Sequence, residues 1–464
     1  MMSVSYTNIE KIIGPLIYLR NNHDTSYGEV VSVHTPDGKI RMGEVIEISK
    51  ESIIIEVFGE TDGISATNTR VTFKGEPFKV KLSTDMIGKV FNYIGEPIDI
   101  STRRMLPGKV ISSQNREIEG SPINPCAREA PREIIQTGIS AIDGLFTLIK
   151  GQKLPIFSGQ GMPHNRLAAQ IVTQASSTSE KPFLIIFCGI GILQDEAAFF
   201  LDEFKRSGKM QHIISFLNFA DDPIMERLII PHVSLTAAEY FAYDLGMDVL
   251  VVLIDITNYA EALRELSSAK EEIPSRKGYP GYLYSNLAAL YERTGCLAGK
   301  QGSITQIPIL SMPNDDISHP IPDTTGFITE GQVVLNRDLF KRNLYPPVEV
   351  LASISRLMKD AIGERTTRKD HADISSQAIA SYSEALEIRS LISIVGEEGL
   401  KDNQNRLLDF ARSFEQAFLR QDIHENRTLA ETFSRLWESL SKLSRHQLTR
   451  VHREHIDEYY QETW

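Results

Sequence analysis

The chain has 464 residues, of which 41% are hydrophobic and 24% are charged, and this composition is typical of a globular protein with several domains. Its 61 acidic and 49 basic residues give a formal net charge of −12, which argues against a broad nucleic-acid-binding surface. Its 3 cysteines are too widely spaced for a disulfide framework or a zinc site, and no apolar run approaches the roughly 20 residues that span a bilayer. We therefore expect a cytoplasmic chain.

Residues 1–75 contain short segments in which hydrophobic and polar residues alternate, separated by turn residues at a spacing of roughly ten residues. This pattern predicts a small antiparallel β-barrel or sandwich. It brings no catalytic cluster, so we expect it to hold subunits together. The predicted strands lie at 14–19, 28–33, 43–48 and 52–58.

Residues 76–345 predict an α/β domain. After a stretch rich in proline and glycine, continuous apolar segments alternate with helical segments from residue 153 onward. Continuous apolar strands are typical of a mainly parallel sheet that helices cover on both faces. Ligands of such sheets bind at the carboxyl ends of the strands. The predicted strands are 153–157, 183–188, 212–217, 249–254 and 304–310.

A glycine-bearing loop at 159–166 lies between the first of these strands and the next helix, where a phosphate-binding loop would lie. The functional form of that loop reads G-x-x-x-x-G-K-[ST]. Aligned from Gly159, with Gly161 inside the turn, the lysine position falls on Asn165 and the hydroxyl position on Arg166. Asparagine carries no positive charge and arginine cannot ligate a cation, so we predict a degenerate loop with weak or no nucleotide binding. A loop that never bound phosphate is an equal alternative from these residues alone.

The acid that ends the predicted strand 249–254 is a second candidate. An aspartate at such a strand end orders the magnesium shell in nucleotide-hydrolysing domains, which makes Asp255 a candidate metal residue. Because the loop lacks its lysine, we favour a role for Asp255 as a cap of the following helix. It is at most a vestigial metal ligand, and the chain is predicted to hold no metal of its own.

Residues 346–464 predict a helical bundle, because the strand pattern stops after the Tyr-Pro-Pro segment at 345–347. Aromatic and small residues between 410 and 418 recur at helical spacing and favour packing against neighbouring helices. The predicted helices are 372–394, 403–420, 429–443 and 447–460.

Several motifs, together with the order of the three domains, resemble the non-catalytic, regulatory B subunit of V/A-type rotary ATPases of bacterial or archaeal type. The resemblance covers essentially the whole chain. It implies an N-terminal β-barrel, a central RecA-like domain of the P-loop type and a C-terminal helical bundle. The motifs lie at 157–165, 257–265, 278–284, 319–332 and 345–358.

The resemblance implies a head of three B subunits alternating with three catalytic A subunits. This head turns a central stalk, contacts a peripheral stalk and is coupled to a membrane ring that moves protons or sodium ions. ATP or ADP with magnesium would bind at the A–B interface, and the chain would have no cofactor of its own and no nucleic-acid partner. The chain would lie peripherally on the cytoplasmic face of the cell membrane.

The resemblance also assigns roles to single residues. Arg356, at the end of the Ser-Ile-Ser-Arg segment, matches the family's arginine finger, which acts in trans on the A-subunit site. Phe327 stands where relatives commonly carry tyrosine near this interface, and packing is its expected role. Where catalytic subunits carry a water-activating glutamate, this chain has the apolar segment 189–193, so it is expected to lack a general base.

Two alternatives belong to other functional classes. A self-sufficient RecA-like NTPase, such as a catalytic head subunit or a secretion-type ATPase, would need the lysine and hydroxyl that positions 165 and 166 lack. A ring-shaped RNA translocase would need a basic, aromatic RNA-binding module, and the acidic balance of the chain argues against one.

Overall fold

The structure, a computed structural model, describes residues 5–461 except 8, 22–23, 60, 107–113, 121, 131, 180 and 396–399. An antiparallel sheet comes first, a mainly parallel sheet between helices follows, and helices form the C-terminal part. The predicted fold class is therefore confirmed. No helix in these described ranges is both long enough and apolar enough to cross a bilayer.

The N-terminal unit is a seven-stranded antiparallel sheet in the order β1-β7-β4-β5-β6-β3-β2. Alternate residues such as Ile17, Val31 and Ile55 are fully buried and form its core, which is the expected result of the alternating pattern. The strands are β1 Ser5–Tyr6, β2 Ile9–Ile13, β3 Leu16–Arg20, β4 Glu29–His34, β5 Ile40–Ile48, β6 Ser52–Phe58 and β7 Arg70–Pro77.

Short elements connect this sheet to the central one. Strands β8 and β10 pair with each other, β9 joins the edge of the central sheet, and β11 pairs with β12. A short helix, α1, is buried along its whole length. These elements are β8 Lys79–Leu82, β9 Val90–Phe91, β10 Gln114–Glu117, β11 Ile134–Gln136, α1 Ser140–Leu145 and β12 Leu148–Ile149.

The central sheet has the order β21-β20-β13-β19-β17-β15-β16-β9 in the described part of the chain, with β18 added on β19. All pairs are parallel except those of β18 and β21. The strands are β13 Ile156–Gly159, β14 Ser176–Ser177 (which pairs with β11 instead), β15 Phe183–Ile192, β16 Ile213–Phe219, β17 Asp248–Ile254, β18 Gly295–Cys296, β19 Ser303–Met312, β20 Gly331–Val334 and β21 Ile354–Ser355.

Helices cover both faces of this sheet, as the continuous apolar strands predict. One of them, α4, continues through Pro231, a residue that normally ends a helix. The helices are α2 His164–Gln174, α3 Gln194–Arg206, α4 Ile224–Glu239, α5 Ile256–Ala269, α6 Leu283–Tyr291, α7 Pro320–Ile328, α8 Arg337–Lys341 and α9 Met358–Ala361.

The C-terminal helices pack on α1 and share one hydrophobic core with the central sheet. Phe414 stacks between Phe410 and Phe418, with ring centroids 5.4 and 5.1 Å apart. Strand β21 still pairs with β20, so hydrogen bonding to the central sheet extends to Ser355. The remaining helices are α10 His371–Val395, α11 Asp402–Ser413, α12 Leu429–Leu440 and α13 Arg453–Tyr459.

Candidate functional site

The phosphate-type loop and Asp255 lie at the same edge of the central sheet. Strand β13 ends at Gly159, and its neighbour β19 aligns Ser311 with Ser158. Strand β17, on the other side of β19, ends immediately before Asp255. This edge collects the carboxyl ends of the parallel strands, where ligands of such sheets bind.

The backbone of the loop offers few free donors to an anion. Gly161 has a φ of +75°, which favours glycine, and lies next to open space. The N–H of Met162 donates to the carbonyl of Gly159 at 3.1 Å, and Pro163, just before α2, has no N–H. Of the amides that a phosphate-binding loop would direct at its ligand, that of Met162 is already hydrogen-bonded and that of residue 163 is missing.

A charged pair contacts the loop. Arg337, at the start of α8, donates to the carbonyl of Gln160 at 2.8 Å and to both carboxylate oxygens of Asp315 at 2.6 and 2.8 Å. The carboxylate of Asp315 is so near Gly159 that a Cβ there would lie 1.9 Å from Oδ1. The hydrogen bond from Arg337 lowers the pKa of Asp315, so a negative charge stands against the loop.

A second carboxylate contacts the residue at the lysine position. The Nδ2 of Asn165 donates to Oε1 of Glu196 at 2.8 Å, while Oε2 of Glu196 accepts the N–H of Leu193 at 2.9 Å. Oδ1 of Asn165 is buried and has no hydrogen-bond partner among the described residues. Arg166 is exposed and lines an open cavity of about 490 Å³ together with Arg206.

Asp255 has the geometry of a helix cap. Its Oδ1 accepts the N–H of Thr257 at 2.8 Å and the N–H of Ser311 at 3.2 Å, and its Oδ2 accepts the hydroxyl of Ser311 at 2.6 Å. The carboxylate therefore ties the start of α5 to the end of β19. Both oxygens accept hydrogen bonds from the protein, as a capping carboxylate does.

These residues do not fit a magnesium–triphosphate complex. The loop offers no lysine and no hydroxyl ligand, and the carboxylates of Asp315 and Glu196 would repel the phosphates. A side chain that cannot carry a positive charge, Asn165, stands where the compensating cation would be needed. Gly159, Gly161, Asn165 and Arg166 thus keep the place of a phosphate loop without its binding groups.

Arg356 lies at the opposite edge of the sheet. It follows β21, its N–H donates to the carbonyl of Glu330 at 2.9 Å, and its exposed guanidinium donates to the carbonyl of Thr329 at 3.0 Å. Glu330 in turn bonds the carbonyl of Lys153. Since a strand rises about 3.3 Å per residue, Gly159 lies roughly 20 Å farther along the sheet than Lys153. Arg356 therefore cannot reach the loop of its own chain.

Exposed apolar side chains lie on β21 and on the elements next to it. Phe327, near the end of α7, is 76% exposed, and Leu351 and Ile354 are 46% and 48% exposed. Ile354 pairs with Gln332 across β20 and β21, and the Gln332 side chain lies against Gly326, the residue before Phe327. Large exposed apolar residues beside an exposed guanidinium are typical of a protein–protein interface.

Comparison with known proteins gives matches along the full chain. A V-type ATP synthase beta chain of Halothermothrix orenii is 51% identical over 461 residues, which cover 99% of this chain and 98% of that protein. The chain belongs to the V/A-type ATP synthase B-subunit family. The B subunit of an A-type ATP synthase of Aeropyrum pernix, another member of this family, is 50% identical over 98% of this chain and 97% of its own length.

Family models and a solved structure agree with this membership. The β-barrel domain of the ATP synthase alpha/beta family matches residues 9–75, its nucleotide-binding domain matches 138–355, and the C-terminal domain of V and A type ATP synthase matches 360–460. An ATP synthase subunit, NeqB, from Nanoarcheaum equitans is 37% identical with a TM-score of 0.72, covering 92% of this chain and 99% of its own. The chain is thus one subunit of a rotary, membrane-associated ATP synthase and not a standalone enzyme.

The sequence did not reveal every residue at the loop. Asp315, Arg337 and Glu196 contact it from three separate elements, and their approach depends on how the strands align. A signal existed for Asp315, because the polar segment that contains it follows the end of the predicted strand 304–310 at the ligand-binding edge. We find no comparable signal for Glu196.

Proposed function

We propose that the chain is the non-catalytic, regulatory subunit that alternates with three catalytic A subunits in a six-membered head, and that Arg356 acts in trans on the nucleotide of the adjacent A subunit. The observation that carries this proposal is the separation of two features. The chain's own loop does not fit a magnesium–triphosphate complex, while an exposed arginine lies at the far edge of the same sheet.

The chemistry of phosphoryl transfer explains how such an arginine would act. Negative charge spreads over the transferring oxygens, and a planar guanidinium can donate two hydrogen bonds to them. An arginine supplied in this way accelerates the reaction by roughly 10³–10⁵. Among the residues that the structure describes, the guanidinium of Arg356 makes one hydrogen bond, to the Thr329 carbonyl, which leaves other N–H groups free to reach a partner.

Supply of the arginine by a second subunit would couple chemistry to motion. ATP and magnesium would bind at the A–B interface, and Arg356 would reach them only when that interface is closed. Phe327 is exposed and would pack in the same interface. Closure and opening in turn would drive the central stalk against a peripheral stalk, and so couple ATP synthesis or hydrolysis to proton or sodium transport by the membrane ring. We place the chain on the cytoplasmic face of the membrane and propose no nucleic-acid partner.

Hydrolysis assays with and without a catalytic subunit test the non-catalytic role. The purified chain alone is expected to release no phosphate from ATP and magnesium above background, whereas a reconstituted mixture with the A subunit is expected to turn over. The variant Asp255→Ala separates the two roles of this residue. If Asp255 only caps α5, the change lowers the stability of the chain, and there is no hydrolytic activity for it to remove. Turnover by the chain alone that Asp255→Ala abolishes would instead indicate a self-sufficient NTPase.

A further inference from the structure

Three metal-ligating side chains meet in the C-terminal helices, far along the chain from the loop and from Arg356. Asp373 lies in the first turn of α10, His452 immediately precedes α13, and His455 lies in its first turn. Their ligand atoms all lie within 4.8 Å of one another. We name these three residues the His–His–Asp cluster.

A single carboxylate oxygen holds the cluster together. Oδ2 of Asp373 lies 2.6 Å from Nδ1 of His452 and 2.9 Å from Nδ1 of His455, and it also accepts the N–H of His452 at 3.0 Å. Both imidazoles thus present the same ring nitrogen to the same oxygen. In the described residues, Oδ1 of Asp373 makes no hydrogen bond, so the carboxylate keeps a free ligand atom.

The cluster combines two anchored ligands with one that can move. The side chains of Asp373 and His455 are only 15% and 13% exposed, whereas that of His452 is 77% exposed. Ligand atoms about 2.0–2.2 Å from a tetrahedral ion lie roughly 3.3 Å apart. The two imidazole nitrogens lie 2.6 and 2.9 Å from Oδ2 of Asp373, so an ion would have to part both slightly from that oxygen, and the exposed side chain of His452 has room to move.

We propose that the His–His–Asp cluster binds one divalent transition-metal ion, with Zn²⁺ as the best match. Two imidazole nitrogens and one carboxylate oxygen suit zinc, cobalt, nickel or copper, whereas Mg²⁺ and Ca²⁺ prefer shells of oxygen. Three protein ligands leave one tetrahedral position for water on the side where His452 meets the solvent.

Charges of both signs surround the cluster. The starts of α10 and α13 both carry the positive end of a helix dipole, which opposes a bound cation. Two acids of α13 act in the other direction, because Glu454 lies near enough to interact electrostatically with His452 and Glu458 with His455. Glu458 is itself paired with Lys369 at 2.6 Å.

A bound ion would fasten α13 to the start of α10. The two helices are distant in sequence, and the cluster joins them through side chains from both. A ligand that binds the folded chain more tightly than the unfolded chain stabilises the fold in proportion to the logarithm of its concentration. The expected consequence is a thermal midpoint of the helical unit that rises with Zn²⁺ concentration.

The test is a titration of the full chain, first stripped of metal with a chelator. Calorimetry with Zn²⁺ measures stoichiometry, and visible absorption of the Co²⁺ form reports on tetrahedral ligation by nitrogen and oxygen. The variants are His452→Ala and His455→Ala, and His446→Ala is the matched control, since His446 is an exposed histidine of the same helical unit. Circular dichroism checks folding, and the exposed His452 decides the result if His455→Ala does not fold.

We expect one equivalent of Zn²⁺ per chain, with a tetrahedral Co²⁺ spectrum and an upward shift of the thermal midpoint. All three signals should disappear in His452→Ala and His455→Ala and persist in His446→Ala, and excess Mg²⁺ should not compete. Absence of saturable Zn²⁺ binding, or equal binding by all four proteins, would overturn the proposal. Unchanged affinity in His452→Ala would overturn it as well.

Discussion

Two hydrogen-bonded contacts set the charge at the loop: the pair of Asp315 with Arg337, and the pair of Asn165 with Glu196. In both cases a carboxylate is held beside the loop. A carboxylate a few ångströms from a phosphate repels it, and the guanidinium of Arg337 offsets part of this effect at Asp315. These contacts, more than the shape of the turn, decide what this edge of the sheet binds.

Asp315→Ala is predicted to strengthen anion binding at the loop. The change removes one negative charge and frees Arg337, which still donates to the carbonyl of Gln160. A charge-assisted hydrogen bond contributes about 1.5–3 kcal/mol, so affinity for pyrophosphate is expected to rise by roughly 10–100-fold. Titration calorimetry with pyrophosphate measures this change in affinity. The control is Asp338→Ala, which removes an exposed acid paired with Lys341 in the same helix, and an equal gain in that control would contradict the prediction.

For single residues, the sequence predicted which phosphate-binding groups the loop lacks, but it did not predict which carboxylates lie against the loop. The absent lysine and hydroxyl follow from comparing Asn165 and Arg166 with the phosphate-loop template, because the template is a local pattern. The carboxylates of Asp315 and Glu196 come from elements far apart in the chain. The pairing of β19 with β13 brings the first to the loop, and the packing of α3 on α2 brings the second.

Among the elements, α10 and α1 meet at a buried histidine. His371 is fully buried, its Nε2 faces the carbonyl of Gly144 at 3.0 Å, and its Nδ1 faces the hydroxyl of Thr367 at 3.1 Å. Because a carbonyl only accepts, the ring carries its proton on Nε2 and accepts at Nδ1. Burial lowers the pKa of His371 to about 4, so the folded state holds a neutral ring.

This contact predicts a loss of stability in mild acid. The unfolded chain binds a proton at His371 near pH 6.5 and the folded chain only near pH 4, so the free energy of unfolding falls as the pH drops between these values. From pH 7 to pH 5 the expected loss is about 2 kcal/mol. Thermal unfolding of wild type and His371→Gln at both pH values measures it, with the exposed His446→Gln as control. If His371→Gln loses as much stability as wild type between pH 7 and pH 5, the loss does not come from protonation of His371.

The elements themselves were largely predictable. Predicted strands overlap β15, β16, β17 and β19, because continuous apolar runs of that length are typical of buried strands in a chain of this composition. Helix ends were less predictable. The helix predicted for 403–420 is divided in the structure into α11 and a π-helical turn at 414–419, where the stacked phenylalanines pack, and tertiary packing of this kind leaves no local signal.

In the whole molecule, one arginine joins the helical unit to the central one. The guanidinium of Arg427 is almost fully buried and donates to the carbonyl of Phe418 at 2.7 Å, to the carbonyl of Arg420 at 2.6 Å and to Glu425 at 2.7 Å. It also reaches the hydroxyl of Ser140 in α1 at 3.2 Å. The segment between the π-helical turn and α12 is therefore held against the central unit.

Arg427→Ala is predicted to loosen this junction. Removing the guanidinium leaves the carbonyls of Phe418 and Arg420 without this donor, and an unsatisfied buried acceptor costs about 1–3 kcal/mol. Amide hydrogen exchange should then accelerate in α11 and α12 more than in the central strands. The control is Arg435→Ala, which removes a half-exposed arginine paired with the same Glu425. Uniform acceleration across the chain, or none, would show that the two units are not coupled through Arg427.

Substitution of Arg356, at the far edge of the sheet, tests most directly how the head works. The measurement is the rate of ATP hydrolysis by the reconstituted complex with catalytic A subunits, comparing wild type, Arg356→Ala and the exposed control Arg412→Ala. Assembly is checked by mass. We predict that Arg356→Ala lowers the rate by roughly 10³–10⁵ while the complex still forms, and that Arg412→Ala has no effect. A rate within tenfold of wild type in an intact Arg356→Ala complex would contradict the account.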